Sequence, residues 1–232
     1  MVASAIIILK LHTHRHKSNM DGIDINGTSF AVLMDQAVKI KTRQLAASRT
    51  KYDSLPSFLQ SSIFVTDEVI NARNNNNFDE RIKAAIAFKD DGNAAYREGR
   101  FDDAMRQYQM ALHVFRFLEN NNPDVHSIKD EYLREVVYVL SNNDEGRQQQ
   151  LEQFLVTIYN NIALTMAKTN EYQTAIQACD YALEIDNKND KAFYLRALSR
   201  LDPKNTSTTD EELAMVDLRS AVMNNPNNKQ AR

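Results

Sequence analysis

The sequence has no tryptophan, one cysteine, four prolines and five glycines among its 232 residues. The lone Cys179 excludes an intrachain disulfide, and nothing asks for an oxidising compartment, so a cytoplasmic location is expected. So few glycines and prolines argue against barrels, sandwiches and dinucleotide-binding folds, which spend more of both on turns. Charge of one sign is not in surplus either. With 28 basic and 31 acidic residues the net charge is −3, against the basic balance of a nucleic-acid binder. The one strong apolar run near the start, Ala5-Ile6-Ile7-Ile8-Leu9, ends at Lys10. It is far shorter than the ~20 residues that cross a membrane, and no basic stretch precedes it as in a signal peptide. No Gly-rich phosphate loop, nucleophile elbow or metal-ligand spacing is present, so no catalytic residue, metal or cofactor is expected. What remains is 43% hydrophobic and 25% charged, near the globular average, and it points to an all-α chain.

The first twenty residues lack acidic side chains and carry Lys10, Arg15 and Lys17. A mitochondrial presequence and a true start at Met20 are both open readings. His12, His14 and His16 alternate and would share one face of a strand, but no Cys, Asp or second His cluster completes a metal shell. A disordered polar tail over 1–28 is the preferred reading.

Internal repetition is the main signal. Gly99-Arg100-Phe101-Asp102-Asp103-Ala104 aligns with Asn170-Glu171-Tyr172-Gln173-Thr174-Ala175, an offset of 71 residues. Downstream, Ala104, Tyr108 and Ala111 correspond to Ala175, Cys179 and Ala182, and a third set is Ala214, Leu218 and Ala221. Each triplet is spaced four then three, which puts its members on one helical face. The outer alanines allow a neighbouring helix close approach, and the larger middle residue fills the space left. Partner helices are predicted upstream at Ala84–Glu98, Leu151–Lys168 and Asp190–Arg200. Gly92, Ala163 and Ala197 stand where the helices cross, and Gly99 closes the first helix.

Helix pairs at a period of about 34 residues are the signature of tetratricopeptide repeats. The run KDDGNAAYREGRFDDAMRQYQMAL resembles that family's first repeat, and LEIDNKNDKAFYLRALSRL resembles a second-to-third junction. The resemblance covers roughly residues 84–230 and is strongest to the three-repeat co-chaperone modules of tetratricopeptide-containing immunophilins. It implies an α-solenoid of three helix-turn-helix repeats, at about 85–118, 156–189 and 190–228 within a domain over 78–232. The insertion after the first repeat is read as that repeat's second helix running on through Phe115, Phe117 and Leu118, a break at Asn120–Pro123, and a further helix over Asp130–Leu140.

The resemblance also implies a site. In the chaperone-binding members, a Lys and an Asn of the first repeat, an Asn of the second, and a Lys and an Arg of the third clamp the terminal carboxylates of a peptide ending Glu-Glu-Val-Asp. Here Lys89 and Asn93 match the first pair, Asn161 the second repeat's Asn and Lys191 the third repeat's Lys. The fifth position departs: it holds Leu195, with Arg196 next to it about 100° round the helix as a possible auxiliary cation, and Arg200 a turn later. Tyr96, Phe101, Tyr108, Tyr172 and Cys179 read as packing residues, and His113 and His126 receive no role. The implied function is a non-catalytic adaptor that binds the acidic C-terminal tail of a heat-shock chaperone. The alternative is a scaffold with a degenerate clamp that binds another protein segment, with Leu195 making its groove partly apolar. A degenerate immunophilin that kept only its repeats is a third reading. Neither nucleic acid nor membrane is expected as a partner.

Upstream, Ser29 is predicted to N-cap a helix from Phe30 to about Ser48, and Pro56 to open another through Phe58, Leu59, Ile63 and Phe64 to Ile70. Residues 29–77 thus form a helical extension and linker that either caps the array or orders on binding a partner. Because repeat arrays need a polar capping surface, three readings of the C-terminus follow: truncation, self-association through an uncapped last repeat, or cover by the N-terminal helices.

Overall fold

The structure is a computed structural model that describes residues 24–25, 28–124, 127–140, 144–202 and 206–228. The expected polar tail, the three alternating histidines and His126 therefore lie outside the described residues, apart from the strand positions at 24–25 and 28. The chain divides into two compact units, one of residues 1–50 with 129–131, the other of residues 51–128 and 132–232.

In the first unit, β1 (Asp24–Ile25) pairs antiparallel with β2 (Thr28–Ser29), and α1 (Phe30–Ala47) follows. Helix α1 starts where predicted, although the Ser29 side chain makes no capping hydrogen bond, and it buries none of its residues. Beyond its end, the Asp130 amide donates to the Ser48 carbonyl at 2.8 Å.

The second unit begins with α2 (Thr50–Ser54), α3 (Ser57–Gln60), a 3₁₀ turn (Ser61–Ile63) and α4 (Asp67–Asn74). The single helix predicted from Pro56 to Ile70 is thus broken. Thr66 takes an extended N-cap conformation, followed by Asp67 and Glu68 in the first turn of α4, where acidic side chains suit the helix dipole. That start signal overrides the continuous apolar pattern. Phe58, Leu59 and Val69 are fully buried in the main core, so this part of the extension packs against the repeats.

Six longer helices follow as three antiparallel pairs: α5 (Phe78–Arg97) with α6 (Phe101–His113), α7 (Glu145–Lys168) with α8 (Tyr172–Ile185), and α9 (Asp190–Leu201) with α10 (Thr208–Asn224). Their starts are chemically explicit. Asn77 accepts from the Asp79 amide at 2.9 Å, Asp144 from Arg147 at 3.2 Å and Asn189 from Ala192 at 2.9 Å, while Ser207 and Asp210 form a capping box. The first two pairs turn at equivalent left-handed residues, Gly99 at φ 75° and Asn170 at φ 64°. Gly has no Cβ to clash there, and Asn is among the few other residues that tolerate it. All six outer alanines of the triplets are fully buried, as the pattern requires. Gly92 lies so close to the Tyr108 ring that a Cβ would meet ring carbons at 2.6 and 2.7 Å.

The insertion is not helical. β3 (Arg116–Asn120) pairs antiparallel with β4 (Leu133–Val137), Phe117 opposite Val136 and Leu118 opposite Glu135. This corrects the expected helical run through Phe117 and Leu118 and the helix over Asp130–Leu140; only a 3₁₀ turn at Asp130–Tyr132 precedes β4. Val136, Val137 and Val139 are β-branched and stiff at χ1, which favours a pleated strand over a helix. The hairpin is tied to the repeats: the Leu118 amide donates to Ser62 Oγ at 2.8 Å, and the Arg116 guanidinium stacks 4.4 Å above the Tyr181 ring.

Candidate peptide-binding site

Helix α7 packs against both α5 and α9, so the first helices of the three pairs lie side by side. These helices carry Lys89, Asn93, Asn161 and Lys191. Lys89 and Asn93 are four residues apart on α5 and both are partly buried. The structure joins two of the four directly: Asn161 Nδ2 donates to Asn93 Oδ1 at 3.2 Å. The same oxygen accepts from the Tyr108 hydroxyl at 2.9 Å. With its acceptor used twice, Asn93 keeps both Nδ2 hydrogens available, and Asn161 keeps one. That is the polarity a carboxylate needs.

The two lysines lie on the same set of helices, Lys89 on α5 with Asn93 and Lys191 on α9. Lys89 Nζ lies 3.1 Å from Asp90 Oδ1, whose side chain is 62% exposed, so this ion pair is a surface contact that a ligand can displace. Lys191 is exposed and has no ion-pair partner among the described residues, and desolvation by its neighbours lowers its pKa below the usual lysine value. An unpaired ammonium at the surface is free to meet an incoming carboxylate without first breaking an internal ion pair.

The remaining positions behave differently. Leu195 is 4% exposed and belongs to the core, so it does not give the site an apolar wall. Arg196 is spent internally: Nε and Nη2 donate to Asp217 at 3.0 and 2.6 Å, and Nη1 donates to Asp180 at 2.6 Å. Burial acts to lower the Arg196 pKa, but these hydrogen bonds and charges outweigh it and raise it. Arg200 also pairs with Asp217. Arg196 is therefore a bolt between α8, α9 and α10, and the structure withdraws it as an auxiliary cation.

Tyr108 is the residue that sequence reasoning undervalued. It packs as expected, at 2% exposure, but its hydroxyl also orients Asn93. Burial, with a smaller contribution from Tyr96, pushes its pKa up to about 12, so it stays a neutral donor. Periodicity places Tyr108 on the buried stripe, but no sequence signal ties its hydroxyl to an amide 15 residues earlier. Cys179 is fully buried and its thiol pKa is pushed up by desolvation, the setting of an inert core residue. His113, given no role from sequence, hydrogen-bonds the Phe58 carbonyl through Nε2 at 2.7 Å. Among the described residues no group of His, Cys, Asp or Glu gathers to hold a metal ion, and no helix is long and apolar enough to cross a membrane.

Comparison with known proteins bears on the helix pairs. No family model matches the chain. It is 25% identical over 156 residues to the human peptidyl-prolyl cis-trans isomerase FKBP4, a match covering 67% of this chain and 28% of the relative. The chain thus spans under a third of that relative's length. The tetratricopeptide-containing C-terminal domain of a Plasmodium falciparum FK506-binding protein is 20% identical with a TM-score of 0.49, covering 69% of this chain and 89% of that one. The three helix pairs, with their buried alanine triplets, have on their own geometry the architecture of tetratricopeptide repeats. The second such domain of human RPAP3, solved with the HSP70 peptide SGPTIEEVD, is 22% identical with a TM-score of 0.41, covering 63% of this chain and 88% of that domain. The resemblance to the repeat modules of immunophilins, found in the first repeat and at the second-to-third junction, thus has a counterpart in the match to FKBP4.

Proposed function

We propose that the chain is a non-catalytic, co-chaperone-like adaptor whose tetratricopeptide array takes the acidic C-terminal tail of a heat-shock chaperone. The observation that carries this reading is the Asn161–Asn93 hydrogen bond, which couples the first two repeats through the very amides the clamp needs. Lys89 and Lys191 supply the charge, and the free Nδ2 hydrogens of both asparagines supply directed donors. Charge-assisted hydrogen bonds of this kind are the strong ones. Arg196 cannot replace the missing fifth donor without breaking its bonds to Asp217 and Asp180. The loss of one charged hydrogen bond costs about 1.5–3 kcal/mol, so the clamp is expected to bind roughly ten- to a hundredfold more weakly than a five-donor site.

The test is calorimetric titration with a peptide ending Glu-Glu-Val-Asp beside the same peptide amidated at its C-terminus. Saturable binding that disappears on amidation and weakens in Lys89→Ala supports the clamp. Equal binding of both peptides, or of neither, overturns it in favour of a repeat scaffold for another segment.

A further inference from the structure

A second cationic site lies away from the four clamp residues. Between α4, α5 and the β-hairpin is a cavity of about 400 Å³ lined by Arg73, Arg81, Phe117 and Tyr138, with Ile70, Val137 and Val139 among its apolar walls and Glu119 as its one carboxylate. Both arginines are placed unusually. Arg81 is only 7% exposed, and neither has a carboxylate within ion-pair distance among the described residues. Their bonds go to backbone carbonyls instead. Arg73 donates from Nε to His113 O at 2.6 Å and from Nη2 to Ser62 O at 3.3 Å, and Arg81 donates from Nε and Nη2 to Val114 O. Among the described residues the Nη1 donors of both have no hydrogen-bond partner.

Aromatic faces hold the two guanidiniums in place, Arg73 3.8 Å over Phe117 and Arg81 4.1 Å over Tyr138. A buried charge without a counter-ion is costly. Burial, and then the neighbouring Arg81 charge, lower the Arg73 pKa to about 10, with Glu119 offsetting only part. Burial likewise lowers that of Arg81. Carbonyls and rings fix the geometry without supplying charge, and the single Glu119 carboxylate in the lining leaves two guanidiniums against one negative charge.

We propose that this cavity is an oxyanion site in which a carboxylate or phosphate group on an apolar body sits between Arg73 and Arg81. The arginines supply fork-shaped donors suited to either group. Exposed Ile70, Val137 and Val139, the last 77% exposed, give the apolar body a surface to lie on.

The test uses phenyl phosphate and phenylacetate as probes, with sodium chloride at matched ionic strength, in the full chain. Arginine Nε–H resonances in NMR and thermal shift are the readouts. Saturable shifts of the Arg73 and Arg81 signals are expected, with the stronger probe revealing whether phosphoryl or carboxyl oxygens are preferred. Arg73→Gln should weaken binding at least tenfold. Val139→Asp, a change at an exposed position that places a competing carboxylate by the cavity, should do the same. Binding should persist in the Lys89→Ala/Lys191→Ala variant, which separates this site from the peptide clamp. If both probes act only as chloride does, or if Arg73→Gln and Val139→Asp bind as the parent does, the oxyanion site is overturned and the arginines are structural.

Discussion

The Asn161 side-chain amide donates to Asn93 Oδ1 at 3.2 Å, linking the first helices of two successive repeats. Because Asn93 also accepts from Tyr108, its amide orientation is set by two donors on two different helices, α6 and α7. Preorganisation of this kind reduces the entropy lost when a ligand binds.

Replacement of the two asparagines should therefore have separable effects. Asn161→Ala removes one ligand donor and one modest hydrogen bond, so about 1 kcal/mol of stability should go with at least a tenfold loss of peptide affinity. Asn93→Ala also strands the hydroxyl of Tyr108, which is 2% exposed, and its stability loss should be larger, toward about 3 kcal/mol. Tyr108→Phe should weaken the peptide severalfold while leaving the core intact. Urea denaturation and calorimetry on the three variants check this. Unchanged affinity in Tyr108→Phe would show that the hydroxyl does not orient Asn93 for binding.

Arg196→Ala should damage the fold and spare the site. Asp217 is 2% exposed and would keep only Arg200 after losing both hydrogen bonds from Arg196. Breaking a buried pair costs about 3 kcal/mol or more, so a clear fall in urea midpoint is expected, with peptide affinity unchanged in the folded protein. Leu195→Arg is expected to destabilise as well, because it drives a charge into the core and does not rebuild the fifth donor. A tenfold affinity loss in Arg196→Ala at undiminished stability would reverse the assignment.

The alanine triplets impose both face and period, so the three pairs emerge from local pattern. The starts of the first two upstream helices do not: expected at Ala84 and Leu151, they lie at Phe78 and Glu145, where Asn77 and Asp144 cap turns that continue the helix beyond the repeat pattern. The hairpin does not, because Leu133, Val136, Val137 and Leu140 fit a helical face as well as a strand. Only the β-branched Val136, Val137 and Val139 separate the two, and the partner strand is more than ten residues away. The clamp lysines and asparagines follow from repeat register. Arg196 fell on neither face by register alone, and its commitment to Asp180 and Asp217 depends on two other helices. Side-chain networks between helices have no period to read.

Acid should destabilise the protein through His113. The side chain is 2% exposed, and burial, against a favourable bond to Phe58, lowers its pKa to about 4, with the Arg73 charge lowering it further. The folded state thus holds His113 neutral while the unfolded chain titrates near 6.5. Above that value both states are neutral and the group makes no difference. As the pH falls from about 6.5 toward 4, the unfolded state takes up the proton and stability declines by about 3 kcal/mol. Urea titrations at pH 7.5 and 4.5 should show the loss, and His113→Gln should flatten the part due to this residue. An equally steep fall in that variant would assign the acid sensitivity to other groups.

Gly92 and Tyr108 form a matched pair whose counterparts in the second repeat are Ala163 and Cys179, each larger where its neighbour is smaller. A methyl group at Gly92 would meet the buried Tyr108 ring at 2.6 Å, and the ring is held by its bond to Asn93. Gly92→Ala gains up to about 1 kcal/mol in helix propensity, but overpacking of about 1–3 kcal/mol outweighs it, so net destabilisation is expected. Tyr108→Cys alone opens a cavity and removes the Asn93 bond. Combined, the two changes recreate the second repeat's Ala–Cys combination, so the double variant should be more stable than the sum of the single losses by about 1 kcal/mol or more. Urea denaturation of all four proteins measures that coupling. Strict additivity would mean that the Gly92–Tyr108 contact is not what keeps glycine at this position.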